Sequence, residues 1–430
     1  MRLRFSFLVF LWPLVVAASE PRVGNVIFMH PDGTSLAAWM ATRFAHVGPA
    51  GRLEWDQLPH VAIYDGRLVN ALSSSSNGGA TTHAWGVRAN HRSFGFVEPE
   101  ARALSGYAGS LMLEARAAGR AVGIVQTGAH YEPGTAVFLT SSATRAEESE
   151  ICAGVLASGA DVIFGGGEAW FLPEGTNGRH GPGTRKDGRN LVEEARRAGY
   201  VVFFTRHELL AHTPKAGKKY LGLFAHDHTF NDKTEEQLRE AGLPHYSPEA
   251  PSYAEMTAWA LQALAMNPRG FFLVAEEEGA DNFANKNNAS GLLESLRRAD
   301  EGIGVARQFL REHPDTLVLV ASDSNAGGLT VVGHRTDRMP PGRPTPERDP
   351  NGAPVDGRDG TASPPFLAPP DENGTRLPFW IAWGSKDDTS GGVVVRADGL
   401  NADRIRGNVD NIDLYRVMYL TLFGRDLPRR

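Results

Sequence analysis

Gly24-Asn25-Val26-Ile27-Phe28-Met29 is a continuous apolar run that stops at His30-Pro31-Asp32-Gly33-Thr34-Ser35. A strand without polar alternation belongs inside a parallel sheet covered on both faces. Asp32 therefore falls just past a strand's carboxyl end. The pattern recurs along the chain. A helix is predicted over Ser35 to Ala45, and another over Leu111 to Ala118 feeds the strand Ala121 to Gln126, which leads to Gly128-Ala129-His130-Tyr131-Glu132-Pro133-Gly134-Thr135. Helical spacing over Glu147 to Ser158 precedes Asp161-Val162-Ile163-Phe164-Gly165-Gly166-Gly167, and Asn190 to Ala198 precedes the strand Tyr200 to Phe204. The helix Pro251 to Met266 leads to Gly270-Phe271-Phe272-Leu273-Val274-Ala275, capped by the acidic run Glu276-Glu277-Glu278-Gly279-Ala280-Asp281. The long helix Leu292 to His313 precedes Thr316 to Ser322, which ends at Asp323-Ser324-Asn325. This alternation implies an α/β fold whose central sheet is mainly parallel and sandwiched by helices. Residues 336–374, rich in Pro, Gly and Asp, are expected to form an irregular surface excursion, before a closing strand Leu377 to Trp383 and helix Asn411 to Leu422.

The run Ser73-Ser74-Ser75-Ser76-Asn77-Gly78-Gly79-Ala80-Thr81-Thr82-His83 turns from hydroxyl-rich loop into helix. A serine at a helix start faces free backbone N–H groups and the positive end of the helix dipole, which suits a phosphate, so Ser76 is a candidate nucleophile. The plainer reading is a flexible Ser/Gly linker. Against it stands the repeated placing of Asp32, Glu132, Glu276, Asp281 and Asp323 at strand ends. Ligands of open α/β sheets bind in the crevice outside those ends. Each acid alone reads as a cap or turn residue. Together they would repel unless cations held them, so a polynuclear metal site is the better account.

Composition narrows the function further. With 41% hydrophobic and 22% charged residues among 430, the chain has a large core and is not disordered over most of its length. The 44 basic and 50 acidic side chains give a net charge of −6, and no basic run is long enough to track a nucleic-acid backbone. Specific nucleic-acid binding is excluded on that ground. The start, Met1-Arg2-Leu3-Arg4, an apolar stretch Phe5 to Ala18 and then Ser19, has the form of a cleaved export signal over residues 1–19. The stretch is too brief for a stable membrane anchor, so an exported protein, periplasmic or extracellular, is expected. The single cysteine, Cys152, allows no internal disulfide. Gly165-Gly166-Gly167 lacks the lysine and spacing of a phosphate-binding P-loop and reads as a tight strand-end turn.

The sequence resembles the alkaline phosphatase family over residues 20–430. The likeness runs through Asn25 to Asp32, Ser75 to Gly86, Val122 to Phe138, Arg145, Asp161 to Gly167, Arg185 to Leu191, Gly270 to Asp281, Thr316 to Asp323 and Asn408-Val409-Asp410-Asn411. The resemblance implies one α/β domain with a crown-like insertion, often a homodimer, that hydrolyses phosphate monoesters through a phosphoserine. Carried over by position, Ser76 resembles the nucleophile and Arg145 the phosphate-gripping arginine. Asp32 resembles the aspartate shared between metals, Glu276 and Glu132 fall at the magnesium site, and Asp281 and Asp323 resemble the aspartates of two zinc sites.

Every histidine that the resemblance predicts in those zinc sites is absent. Asn285 and Ser324 stand at two of the positions, and Glu372 or Asp371 is the expected replacement for the third. The aspartate before the nucleophile is Ser75, and Gly134 stands where a hydroxyl is expected, with Thr135 one step away. Oxygen-only donor sets suit magnesium, calcium or manganese, whereas zinc prefers nitrogen and sulfur. The expected cofactors are therefore divalent metals, magnesium foremost, with calcium, manganese or zinc as alternatives at the catalytic pair. Histidines from elsewhere would restore zinc: His30, His83, His130, His226, His228 or His334. For any one of them a packed structural role is the commoner outcome. The substrate implied is a phosphate ester. The alternatives are a phosphodiesterase or sulfatase of the same fold, or a phosphate-binding pseudoenzyme without turnover.

Overall fold

A computed structural model describes residues 23–428 except 334 and 336. The export signal expected over residues 1–19, and His334, lie outside the described residues. Eight strands form the bulk of the central sheet: β1 (Asn25–Pro31), β2 (His60–Asp65), β3 (Ala121–Ala129), β4 (Val162–Gly166), β5 (Tyr200–Phe203), β6 (Lys219–Leu223), β7 (Phe271–Glu277) and β8 (Thr316–Val320). With the late strands Val394–Gly399 and Gly407–Asp410 they make a ten-stranded sheet. From one edge the order is Gly407–Asp410, β2, Val394–Gly399, β8, β1, β7, β3, β4, β6, β5. Only Val394–Gly399 runs antiparallel to its neighbours, so the sheet is mainly parallel.

The apolar strands are buried throughout because helices cover both faces. In β1, Val26 and Phe28 enter one core, which contains residues of α2 (Ser76–Trp85) and of the helix Asn411–Phe423. Ile27 and Met29 enter the opposite core, with α1 (Leu36–His46) and the helices Tyr253–Leu264 and Ala289–Glu312. The long helix buries Leu292, Leu293, Leu296, Ala299, Ile303, Ala306 and Leu310, a stripe at helical spacing.

Strand order decides where the acids go. β8, β1, β7 and β3 are consecutive and parallel, so their carboxyl ends lie side by side. In that register His30 pairs with Glu276, and Glu276 with Gln126. Residues far apart in sequence thereby share one edge of the sheet.

The strand expected near the C-terminus is present, and one expectation beside it needs correcting. The strand expected at Leu377 to Trp383 spans Pro378–Ala382, but it joins a second, smaller antiparallel sheet with Thr330–Gly333, Val355–Gly357 and Phe366–Leu367. The excursion expected to be irregular over 336–374 thus contributes strands, each too short to carry a period-two pattern. Its fully buried Trp383 donates to Asp356 (2.6 Å), which fixes this sheet internally. Among the described residues no helix is long and apolar enough to cross a membrane.

Candidate active site

α2 is a buried helix, not a linker. Ser75 caps it, accepting from the Gly78 N–H at 3.2 Å while its own hydroxyl donates to the His91 carbonyl at 2.6 Å. All ten residues of α2 are buried, and Gly86, in the left-handed region at φ 65°, ends it. Gly79 lets the helix sit against the strand ends: a Cβ there would lie 2.6 Å from the Asp323 Cβ. Ser76, 5% exposed, opens the first turn and is one of the groups acting on the Asp32 carboxyl.

Asp32 and Asp323 form the centre of the site, both fully buried. Burial opposes ionisation of Asp32, but His30, Asp323 and Ser76 together hold its carboxyl well below the usual range. Burial and the Asp32 charge push Asp323 well above it. One proton shared between facing carboxylates is the physical meaning of that split.

Beside this pair lies a second group. Gly33, at φ 65°, leaves room for Asp281, whose Oδ1 would be 2.4 Å from a Cβ at that position. The Asn285 amide donates to Asp281 at 3.1 and 3.3 Å and reaches Asp388 Oδ1 at 3.4 Å. Asp388 also interacts with Ser324 and is pushed upward, first by burial and then by the Asp32 charge. Asp388 was not foreseen from the sequence. Glu372, expected here, is exposed at a turn where Asp371 accepts from Asn373 and Thr375 N–H groups, so neither acid joins the buried set. The pairing of Asp388-Thr389 with Asn325-Ala326 carries Asp388 in beside Ser324. The available signal was the Asp387-Asp388 pair five residues beyond the buried Trp383.

The third group extends towards β3. Asp32, Glu276 and Glu278 each offer an oxygen within 4.8 Å of the others. Burial, reinforced by neighbouring carboxylates, raises Glu276 and Glu278 well above their ordinary range. Gly134 stands where a hydroxyl was expected because Glu276 fills the space: a Cβ would come 1.5 Å from its Oε1. The Thr135 hydroxyl is buried with no hydrogen-bond partner among the described residues. Glu132, raised chiefly by burial, is ion-paired to Arg145, a side chain 42% exposed. Glu132 first, and then Glu278 and Asp281, strengthen the Arg145 charge. Glu278 stood in the acidic run of the sequence, but nothing there distinguished it from Glu277. Glu277 instead accepts from Thr127 and Tyr246 at 2.8 and 2.5 Å.

Among the candidate histidines, His30 alone is part of a group able to hold a metal ion among the described residues. His130 is packed, its Nε2 against the Gly222 carbonyl at 2.9 Å, and burial lowers it to about 4. His228 Nδ1 accepts from the Ala129 N–H at 3.1 Å, which leaves Nε2 carrying hydrogen 3.9 Å from Glu132. His226 faces the Pro182 carbonyl at 3.0 Å, and His83 meets the Tyr64 hydroxyl at 2.7 Å.

The donor chemistry fits divalent cations. Asp32, Glu132, Glu276, Glu278, Asp281, Asp323 and Asp388 bring seven carboxylates together, faced by the guanidinium of Arg145. Oxygens of Asp32, Asp323, Glu276 and Glu278 lack hydrogen-bond partners among the described residues. Buried acceptors in that number call for positive charge. A cavity of about 210 Å³, lined in part by Tyr64, Ser74, Asp323, Ser324 and Thr389, reaches this cluster.

The parallel sheet, the helix-start serine and the grouped acids define a protein with a carboxylate-rich site, able to hold cations, beside a hydroxyl and an arginine. The family model for alkaline phosphatase matches residues 23–345, and the chain belongs to that family. It is 28% identical over 362 residues to an alkaline phosphatase of Gadus morhua, covering 74% of this chain and 72% of that one. It is likewise 28% identical to the tissue-nonspecific alkaline phosphatase of Homo sapiens, over 72% of this chain and 65% of that one. The alkaline phosphatase of the Antarctic bacterium TAB5 shares the fold, with a TM-score of 0.70 at 19% identity over 94% of this chain and 99% of that one. The Thermus thermophilus enzyme does so with a TM-score of 0.71 at 22% identity over 97% and 96%.

Proposed function

We propose that this chain is an exported, metal-dependent phosphate monoester hydrolase that works through a phosphoserine at Ser76. The observation that carries the reading is the convergence of six buried carboxylates and the half-buried Asp388 beside a serine at the start of a buried helix. Asp32 and Asp323, with Ser324 near them, are the residues to hold one cation, and Asp281 and Asp388, positioned by the Asn285 amide, a second. Asp32, Glu276, Glu278 and Glu132 would hold a third, which suits magnesium. A variant of the TAB5 enzyme has magnesium bound in its M3 site. Bound cations would supply the positive charge that makes a serine alkoxide and a phosphoryl dianion affordable in the same cavity.

The remaining work falls to the chain itself. The Gly78 and Gly79 N–H groups are occupied by Ser75, so those of Ser76 and Asn77 remain for an anionic oxygen. Arg145, anchored by Glu132, presents the rest of its planar fork to two phosphoryl oxygens. The Ser76 oxygen attacks phosphorus as its proton leaves to water, and the ester oxygen departs with the bonding pair and takes up a proton. Water then attacks the phosphoserine, restoring the serine and releasing inorganic phosphate.

Release of p-nitrophenol from its phosphate, by metal-stripped protein re-supplied with one cation at a time, tests this. Turnover with at least one cation, faster than on the matching diester or sulfate, is the expected result. No turnover with any cation would leave a phosphate binder. A preference for the diester or sulfate would assign another ester class. Export is tested separately, by sequencing the mature amino terminus for cleavage after residue 19.

A further inference from the structure

The nitrogen donors expected of a zinc centre are absent from their usual positions, yet one imidazole is aimed into the cluster from a different strand. His30 is fully buried near the end of β1. Its Nδ1 lies 2.9 Å from the Ala321 carbonyl. A carbonyl only accepts, so Nδ1 carries its hydrogen towards Ala321, and Nε2 is the atom whose lone pair a cation can take up in place of a proton. That lone pair faces Asp32 Oδ1 at 3.3 Å and Asp323 Oδ1 at 4.0 Å. Nε2, Asp32 Oδ2 and both oxygens of Asp323 have no hydrogen-bond partner among the described residues.

From this we infer that His30 is the nitrogen ligand of the Asp32–Asp323 centre, which therefore takes zinc, while the carboxylates of Asp281 and Asp388 form an all-oxygen site for a harder cation. The inference rests on the metal-dependent reading above and specifies it. His30 Nε2 and the two carboxylates meet at one point, where a cation takes the place of a proton on Nε2. Zinc at about 2.0–2.2 Å from each donor sets tetrahedral neighbours roughly 3.3 Å apart. The His30–Asp32 separation of 3.3 Å has that value, and all three ligand atoms lie within 4.8 Å of one another. A backbone carbonyl on the far ring nitrogen is how a metal-bound histidine is oriented and its tautomer fixed. The shift of position has a simple geometric basis. β1 and β8 are adjacent and parallel, with Met29 opposite Val320, so one point beyond their ends is reachable from either strand. Ser324 follows β8, and His30 approaches from β1.

The rival is a protonated His30 ion-paired to Asp32 with no metal contact. Zinc K-edge absorption on the full-length protein, stripped and reloaded with one equivalent of zinc, separates the two. The expected spectrum contains scattering from one imidazole per zinc, and His30→Gln removes it. Chelator competition should show that variant binding zinc at least about 10-fold more weakly, the lower end of what losing even a ligand's supporting partner costs. Measured against its own chelated form, the variant should gain less stability than the wild type when zinc is added. An oxygen-only spectrum from the wild type overturns the inference and needs no variant. Imidazole scattering retained in His30→Gln overturns it as well, by assigning another histidine. Zinc ligated by His30 in a protein that releases no phosphate would refute the proposed reaction and leave this site standing.

Discussion

Replacing Asp388 by Asn should change stability in opposite directions with and without metal. Asn285 bridges Asp281 and Asp388 with a single amide, and burial with neighbouring charge raises both carboxyls. At about 4 Å and an effective dielectric near 20, two such charges repel by about 4 kcal/mol. Sharing a proton relieves part of this, so in excess chelator Asp388→Asn should stabilise the fold by on the order of 1–3 kcal/mol. In saturating cation the sign reverses. Wild type gains about 2.7 kcal/mol when the cation stands at 100 times its dissociation constant, and a variant lacking one charged ligand loses most of that gain. Urea unfolding followed by fluorescence, in chelator and again in excess magnesium or manganese, gives both values. An equal destabilisation in the two conditions would mean that Asp388 is only a structural residue, and the second cation site would be wrong.

Gly134→Ala places a Cβ where Glu276 Oε1 stands, so the carboxylate must swing away. Overpacking of that kind costs about 1–3 kcal/mol, and magnesium affinity measured by calorimetry should fall with it. A second pH-sensitive element lies away from the cation cluster. Burial first, then the Asp356 charge, raises Glu235 from 4.5 to about 8, while burial holds Asp356 at about 6. The folded state therefore keeps protons that the unfolded chain releases. Stability should be fullest below pH 3.8 for this pair and fall as pH rises towards 8, by on the order of a few kcal/mol. Glu235→Gln should flatten that decline in pH-dependent denaturant titrations, and an unchanged slope would reject the assignment.

The parts of the site visible in the sequence are those that depend on one strand and the residues just beyond it. Asp32, Glu132, Glu276 and Asp323 each follow an apolar run, and parallel pairing aligns those ends without further information. Ser76 was legible for a similar local reason, since Ser75 and the two glycines mark a helix start. Asp388 was not. It reaches the cluster through a two-residue pairing with Asn325-Ala326, and no periodic pattern announces a contact of that length. Glu372 looked equivalent because acids in loops look alike until burial separates them. The His30 lone pair was invisible for another reason: its direction depends on a carbonyl 291 residues away. The strand near the C-terminus was legible at Pro378–Ala382, but its place in a small second sheet was not, because a strand's partner is set by tertiary packing.

The central claim is that cations gathered by these carboxylates turn Ser76 into a nucleophile. Acid-quenched, metal-loaded protein incubated with labelled phosphate ester and digested for mass spectrometry tests it directly. One phosphoryl group on the peptide containing Ser76, lost in chelator and in Ser76→Ala, is the predicted result. Label on any other residue, or label persisting on the Ser76→Ala protein, would contradict it.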